Sequence, residues 1–190
     1  GLFSAQSENE RLRQEADQVL DLLRLRELCI PIGSPVPTGS YFMDLMMYPD
    51  IDLYLPPTSP EALFRLAGQL AAHERVVKMN YERGGPGDLK DGLYIKPIVE
   101  YGAWGRPWKI DIWSLSTKII EAKQAELMRL KNRMTPEHRA TILDTKHRLL
   151  QPQPVYAGRV SDHASVDLTI WPCLKPINYL SAPSLNSGKA

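Results

Sequence analysis

Between Pro49 and the Pro56-Pro57 pair the chain reads DIDLYL, and this alternating, proline-bounded run constrains the fold more than any other stretch. Proline interrupts regular structure on both sides, so the six residues must form one short strand. Successive side chains of a strand point to opposite faces. Asp50, Asp52 and Tyr54 therefore share one face, and Ile51, Leu53 and Leu55 turn toward a core. Acidic residues are depleted from strands and are seldom buried unpaired. Two carboxylates about 6–7 Å apart along a strand repel one another unless a cation lies between them. A later segment, WKIDIW, repeats the device, with Ile110 and Ile112 facing one way and Asp111 the other. If the two strands pair, three carboxylates converge on one patch.

The remaining periodicity supplies the layers around such a sheet. Residues 7–28 carry an apolar stripe of Leu12, Ala16, Val19, Leu20, Leu23 and Leu28 at helical spacing, which predicts a helix with one buried face. PIGSPVP breaks it, and YFMDLMMY then fits one or two helical turns ended by Pro49. Ser59-Pro60-Glu61 is a helix start, with an N-cap, a first-turn proline and an early acid, and that helix runs to about His73. RVVKMNYE is β-prone, RGGPGDLKDG is a loop, and LYIKPIVEY and PWKIDIWSL read as a hairpin through Gly102 to Arg106. Pro97 favours an edge position or a bulge. Two helices follow, over about 116–131 and 135–150. SVDLTI fits a strand or a helical turn, and residues 181–190 resemble a disordered tail. These elements predict an α+β fold, an α/β sandwich with a small mixed sheet. Residues 1–115 form its core and 116–180 a helical region.

With 190 residues, 43% of them apolar and 24% charged, the chain has the balance of an ordinary globular domain. A formal net charge of +1 offers no global field for nucleic acid or an anionic membrane, and no apolar run reaches the ~20 residues of a bilayer span. Cys29 and Cys173 lack paired spacing, and His73, His138, His147 and His163 lack zinc spacing, so we expect structural thiols, surface or capping histidines and a cytoplasmic setting. A homodimer is compatible with the composition.

Ahead of the first acidic strand stands Gly39-Ser40. Glycine lets backbone approach a phosphate closely, amides opening a helix favour an anion, and the serine hydroxyl adds a hydrogen bond. A phosphate cradle followed by hard carboxylate ligands suits a triphosphate carried by Mg²⁺ or Mn²⁺.

Gly39-Ser40, nine intervening residues, Asp50-Ile51-Asp52-Leu53 and later Ile110-Asp111-Ile112 together resemble the signature of the nucleotidyltransferase superfamily, the DNA polymerase beta-like fold. GSYFMDLMMYPDIDL, DGLY, WKIDIW and TPEHRATILDTKHRLL look like a group of small bacterial nucleotidyltransferase-domain proteins, over about residues 20–150. Thr38 departs from the pattern, standing where the family usually has an aliphatic residue. The resemblance implies that Asp50 and Asp52 ligate the metal carrying the triphosphate and that Gly39 and Ser40 hold the phosphates. Asp111 would bind a second metal or activate the attacking hydroxyl. It further implies transfer of a nucleoside monophosphate, AMP from ATP, to a hydroxyl on a small molecule or a protein.

Each sign has an ordinary alternative. Asp-x-Asp alone recurs on solvated strand faces, and only its combination with Gly-Ser and Asp111 is specific. Asp44 falls outside the alternation and is expected to be a solvated helix residue. Tyr94, Lys96 and Glu100 share a face that lines an acceptor or base pocket or simply meets water, and Lys109 and Trp113 flank Asp111. Arg139 and Lys146 lean over the phosphates or face solvent. GGPGD lacks the ending of a phosphate loop and is expected to be a mobile loop. Two competing readings stay open. One is a non-catalytic, antitoxin-like module binding a partner through the apolar face of the first helix. The other is a nucleotide-sugar transferase using Asp-x-Asp, although such folds place a long α/β domain before the motif.

Overall fold

Strand order decides where the acids end up. In the computed structural model, which describes residues 2–102 and 105–150, five strands form one sheet in the order β1-β2-β5-β4-β3. These are β1 (Val36–Thr38), β2 (Asp50–Leu55), β3 (Val76–Arg83), β4 (Leu93–Val99) and β5 (Trp108–Ser114). β2 and β5 run parallel, and the other neighbours are antiparallel, so the sheet is mixed and the fold is α+β as expected. The helices are α1 (Leu2–Leu22), α2 (Leu25–Cys29), α3 (Gly39–Met43), α4 (Pro60–Ala71), α5 (Thr117–Arg133) and α6 (Pro136–Leu150).

One face of the sheet is the core. Ile51, Leu53, Leu55, Ile110, Ile112, Ile95 and Val99 meet Leu12, Ala16, Val19 and Leu20 of α1 and Leu63, Leu66 and Leu70 of α4 in a single cluster. Burying each such aliphatic side chain contributes about 1.5–3 kcal/mol, which fixes the strand register, because a one-residue slip would turn the apolar set outward. The apolar face of α1 is thereby buried within the molecule. A second cluster joins Met43, Leu45 and Met47 to Ile142 and Leu143 of α6 and to Ala5 of α1.

Several local expectations change. The first helix is two, because Arg24 adopts a left-handed conformation (φ 52°) and breaks the chain between α1 and α2. β1 had no counterpart in the sequence reading. α3 ends at Asp44, also left-handed (φ 57°), five residues before Pro49. Pro97 lies in the interior strand β4, not at an edge. The paired positions of β4 and β5 step from Ile95 to Ile98, so the residue without an N–H falls in a gap of that ladder, and the bulge lies across β3 between Val76 and Lys78. α4 and α5 begin as anticipated, with the Ser59 and Ser116 hydroxyls accepting from the amides of Ala62 and Ile119.

No described helix is long and apolar enough to cross a membrane. The expected SVDLTI element, the tail at 181–190, Cys173 and His163 lie outside the described residues. α5 and α6 are the described part of the expected helical region, and α6 packs on α1.

Candidate active site

Parallel pairing of β2 with β5 sets Asp52 directly opposite Asp111, Asp50 opposite Lys109 and Tyr54 opposite Trp113. Burial alternates along both strands, with the core residues buried and these six only partly so. All three sequence-nominated aspartates therefore stand on the face away from the core. Asp52 and Asp111 stand close enough for the Asp111 carboxylate to help raise the Asp52 pKa. The Tyr94 hydroxyl donates to the Asp111 carboxylate, and the Tyr94 and Trp113 rings pack in a tilted arrangement with centroids 4.6 Å apart.

The electrostatics follow from this crowding. Desolvation in the site, reinforced by the negative charge of Asp111, pushes Asp50 up to about 6, against the opposing pull of Lys109, Lys96 and Arg106. Asp52 is held well above the ordinary carboxylate range, first by desolvation and then by Asp111 and Asp50, with Lys146 the opposing cation. Carboxylates perturbed by burial and by like charges cluster at functional sites.

Gly39 opens α3 at φ 60°, and a Cβ there would fall 2.5 Å from Asp52 Oδ2. Only glycine permits the turn to approach the carboxylate so closely. The neighbouring Ser40 is buried, and its Oγ accepts a hydrogen bond of 2.7 Å from Lys146 Nζ, which also donates to the Leu45 carbonyl at 2.7 Å. Lys146 is only 2% exposed. It neither faces water nor reaches from solvent over the site; it holds the Gly-Ser turn from behind. Its helix neighbours Ile142 and Leu143 are buried, and this i, i+3, i+4 set is the one sequence signal that would have marked it as inward-facing.

Arg139 and Asp44 are likewise reassigned. Asp44 accepts from Asn9 Nδ2 at 3.0 Å and pairs with Arg13 at 3.2 Å and Arg139 at 2.7 Å. Desolvation pushes its carboxyl upward, but the Asn9 hydrogen bond and the two guanidinium groups outweigh it and lower the pKa. Asp44 is thus an ionic clasp between α1, α3 and α6 instead of a solvated residue, and Arg139 serves that clasp. Cys29 is buried, which pushes its thiol up to about 12 and leaves it structural.

A cavity of about 280 Å³ lies between the acidic face and α5. Gly39, Asp50, Asp52 and Asp111 line one side, Tyr54 and Trp113 continue the floor, and Lys123, Glu126, Leu127 and Leu130 of α5 form the opposite wall. The loop between β3 and β4 closes one end with Leu89. A Cβ at Gly92 would fall 3.0 Å from Trp113 Cε3 and 2.7 Å from Leu115 Cδ2, so the loop lies directly on the indole, and Asp88 pairs with Lys123 at 3.7 Å.

Among the described residues no three His, Cys, Asp or Glu side chains stand in a preformed metal-binding arrangement. The chemistry of the donors nonetheless suits a hard divalent cation. Carboxylate oxygens are acceptor-only when ionised, and a cation bound among them would relieve the repulsion that, after desolvation, helps raise Asp50 and Asp52. No family model matches the chain, and no curated protein matches it.

Proposed function

We propose that this protein is a metal-dependent nucleotidyltransferase that moves a nucleoside monophosphate, AMP from ATP, to a hydroxyl acceptor. One observation carries the reading. Asp52 and Asp111 face each other across a parallel strand pair, with Asp50 beside them and a glycine turn pressed against Asp52. That geometry is what the superfamily resemblance requires of these residues, and a solvated Asp-x-Asp strand has no use for it.

Asp50, Asp52 and Asp111 would hold Mg²⁺ or Mn²⁺. The ion supplies neutralisation of the triphosphate and acidification of the acceptor hydroxyl when bound. The Gly39 turn presents backbone without a side chain, so phosphate oxygens can approach beside Asp52, and Lys146 keeps Ser40 oriented. Asp111 takes the acceptor proton at a carboxylate oxygen, and the Tyr94 hydroxyl orients that carboxylate. The acceptor oxygen forms a bond to the α-phosphorus, the bond from that phosphorus to the β-phosphate bridging oxygen breaks, and pyrophosphate departs with the electron pair. The cavity walls of Leu89, Leu127 and Leu130 exclude water from the transferring group. Positioning and fixed charge carry the rate, as is usual for phosphoryl chemistry.

Calorimetric titration with the four nucleoside triphosphates, with and without Mg²⁺, tests the proposal. Binding of one triphosphate that depends on Mg²⁺ and is lost in Asp52→Asn is expected. Absence of binding by all four, with either Mg²⁺ or Mn²⁺ present, would overturn it.

A further inference from the structure

The two edges of the sheet are finished differently. β1 is three residues long and contains Pro37, whose carbonyl accepts from Gln124 Nε2 of α5 at 2.9 Å. An edge treated this way offers little for another strand to pair with. β3 ends the sheet on the other side with eight residues and no proline, and no described strand pairs with its outer side. The ladder with β4 shows which backbone groups that side presents. Gly84 N–H donates to the Gly92 carbonyl at 2.8 Å, and Met79 stands opposite Pro97, which has no N–H. Hydrogen-bonded and non-bonded pairs alternate in an antiparallel ladder. Lys78, Asn80 and Glu82 therefore bond to β4, whereas the N–H and C=O groups of Met79 and Tyr81 point outward.

The side chains along this edge are symmetric about Asn80. Lys78 and Glu82 lie two positions to either side of it on one face, both are exposed, and neither forms an ion pair among the described residues. Their partners on β4 are the uncharged Ile98 and Tyr94. On the other face Met79 and Tyr81 pack toward the core, and Phe64 of α4 meets the Tyr81 ring at 4.6 Å between centroids while staying 52% exposed. We infer that β3 is a dimerisation edge, pairing antiparallel with β3 of a second copy about a two-fold axis through Asn80. In that register Met79 and Tyr81 exchange backbone hydrogen bonds across the axis, on the side of the sheet that carries Phe64. Lys78 of each copy stands opposite Glu82 of the other, at a non-bonded pair, where side chains approach most closely. Moving the axis to Met79 or Tyr81 sets Lys78 or Glu82 against Asn80. Moving it to Lys78 or Glu82 brings like charges face to face. Charges on an edge strand ordinarily discourage pairing. Here their signs and spacing select the chain's own copy, in one register.

Sedimentation velocity of the full chain at rising concentration, with charge reversals, tests the inference. Wild type is expected to dimerise reversibly. Lys78→Glu and Glu82→Lys, each alone, turn both attractive pairs repulsive and should weaken dimerisation about tenfold or more, with unchanged far-ultraviolet circular dichroism. An equimolar mixture of these two single variants restores both pairs in a heterodimer, which should form within about threefold of the wild-type affinity and dominate the native mass spectrum. The Lys78→Glu, Glu82→Lys double variant should likewise dimerise with itself. Wild type that remains monomeric up to about 1 mM would overturn the inference, and is the result expected if another segment of the chain holds that edge. A dimer indifferent to the single reversals, or a mixture that forms no heterodimer, would overturn it as well, because the contact would then lie elsewhere.

Discussion

Asp44 and Asp52 lie eight positions apart, one at the end of α3 and the other in β2, and the fold gives their carboxylates opposite surroundings. Around Asp44 it gathers an amide and two guanidinium groups, and the carboxyl is held below its ordinary range. Around Asp52 it gathers two more carboxylates, desolvates them, and leaves Lys146 as the opposing cation. A chain able to supply Arg13 and Arg139 to one acid has withheld such partners from the other. On the proposed function, the clasp satisfies its charge internally, whereas the site keeps a deficit for a ligand to fill.

The largest effect expected from breaking this contrast is at the starved acid. On the proposed function, Asp52→Asn should reduce nucleotidyl transfer at least 10³-fold, about 4 kcal/mol of transition-state stabilisation. The same change should raise the thermal midpoint of the metal-free protein at pH 7, because one of the repelling charges is gone. A pyrophosphate-release assay and a melting curve on one preparation check both halves.

Next comes the satisfied acid. Asp44→Ala strands Arg13, Arg139 and Asn9 and should cost about 2–3 kcal/mol in urea unfolding, given that the clasp is partly buried. If Asp44→Ala proved neutral and Asp52→Asn destabilising, the contrast would be reversed.

Acidity separates the two residues without mutation. Asp50 has a raised folded pKa of about 6 against 3.8, so the native state keeps a proton that the unfolded chain has released. Stability of the metal-free protein therefore falls as pH rises from about 4 to 6, by about 1–3 kcal/mol, and Asp52 pulls the same way. Asp44 has a lowered pKa and works in the opposite sense, contributing stability above 3.8 that is lost as pH falls through its folded value. Urea midpoints at pH 4.5, 6 and 7.5 should fall in that order for wild type and flatten in an Asp50→Asn, Asp52→Asn double variant.

The smallest effect is at the residue behind the turn. Lys146→Met should raise the KM for the triphosphate about three- to tenfold, roughly 1 kcal/mol, by releasing Ser40, with kcat nearly unchanged. Lys146→Arg should recover part of the loss.

Much of this arrangement was legible in local pattern. DIDLYL and WKIDIW read as strands because their alternation is strict, and α4, α5 and α6 read as helices because Ser59, Ser116 and Pro136 mark their starts. The face shared by Asp50 and Asp52 follows from strand period alone, and its union with Asp111 needed only the assumption that the two strands pair. What escaped the sequence depends on distant partners. Asp44 is decided by Asn9, 35 residues before it, and by Arg139, 95 residues after it. Ser40 meets Lys146 across a separation of 106 residues. β1 is three residues long and contains Pro37, so it has too little alternation to announce a strand. Arg24 breaks the first helix with neither glycine nor proline to signal it. Pro97 suggested an edge, but the gap in one ladder accommodates it inside the sheet.

The proposed function requires Asp52 to be short of positive charge until a divalent ion arrives, and a carboxyl ¹³C NMR titration of Asp52, with and without Mg²⁺ and ATP, tests this most directly. The predicted result is a midpoint well above 3.8 in the metal-free protein that collapses to an ordinary carboxylate value or lower once both are added. An ordinary midpoint without metal, or a raised one that Mg²⁺ and ATP leave in place, would contradict it.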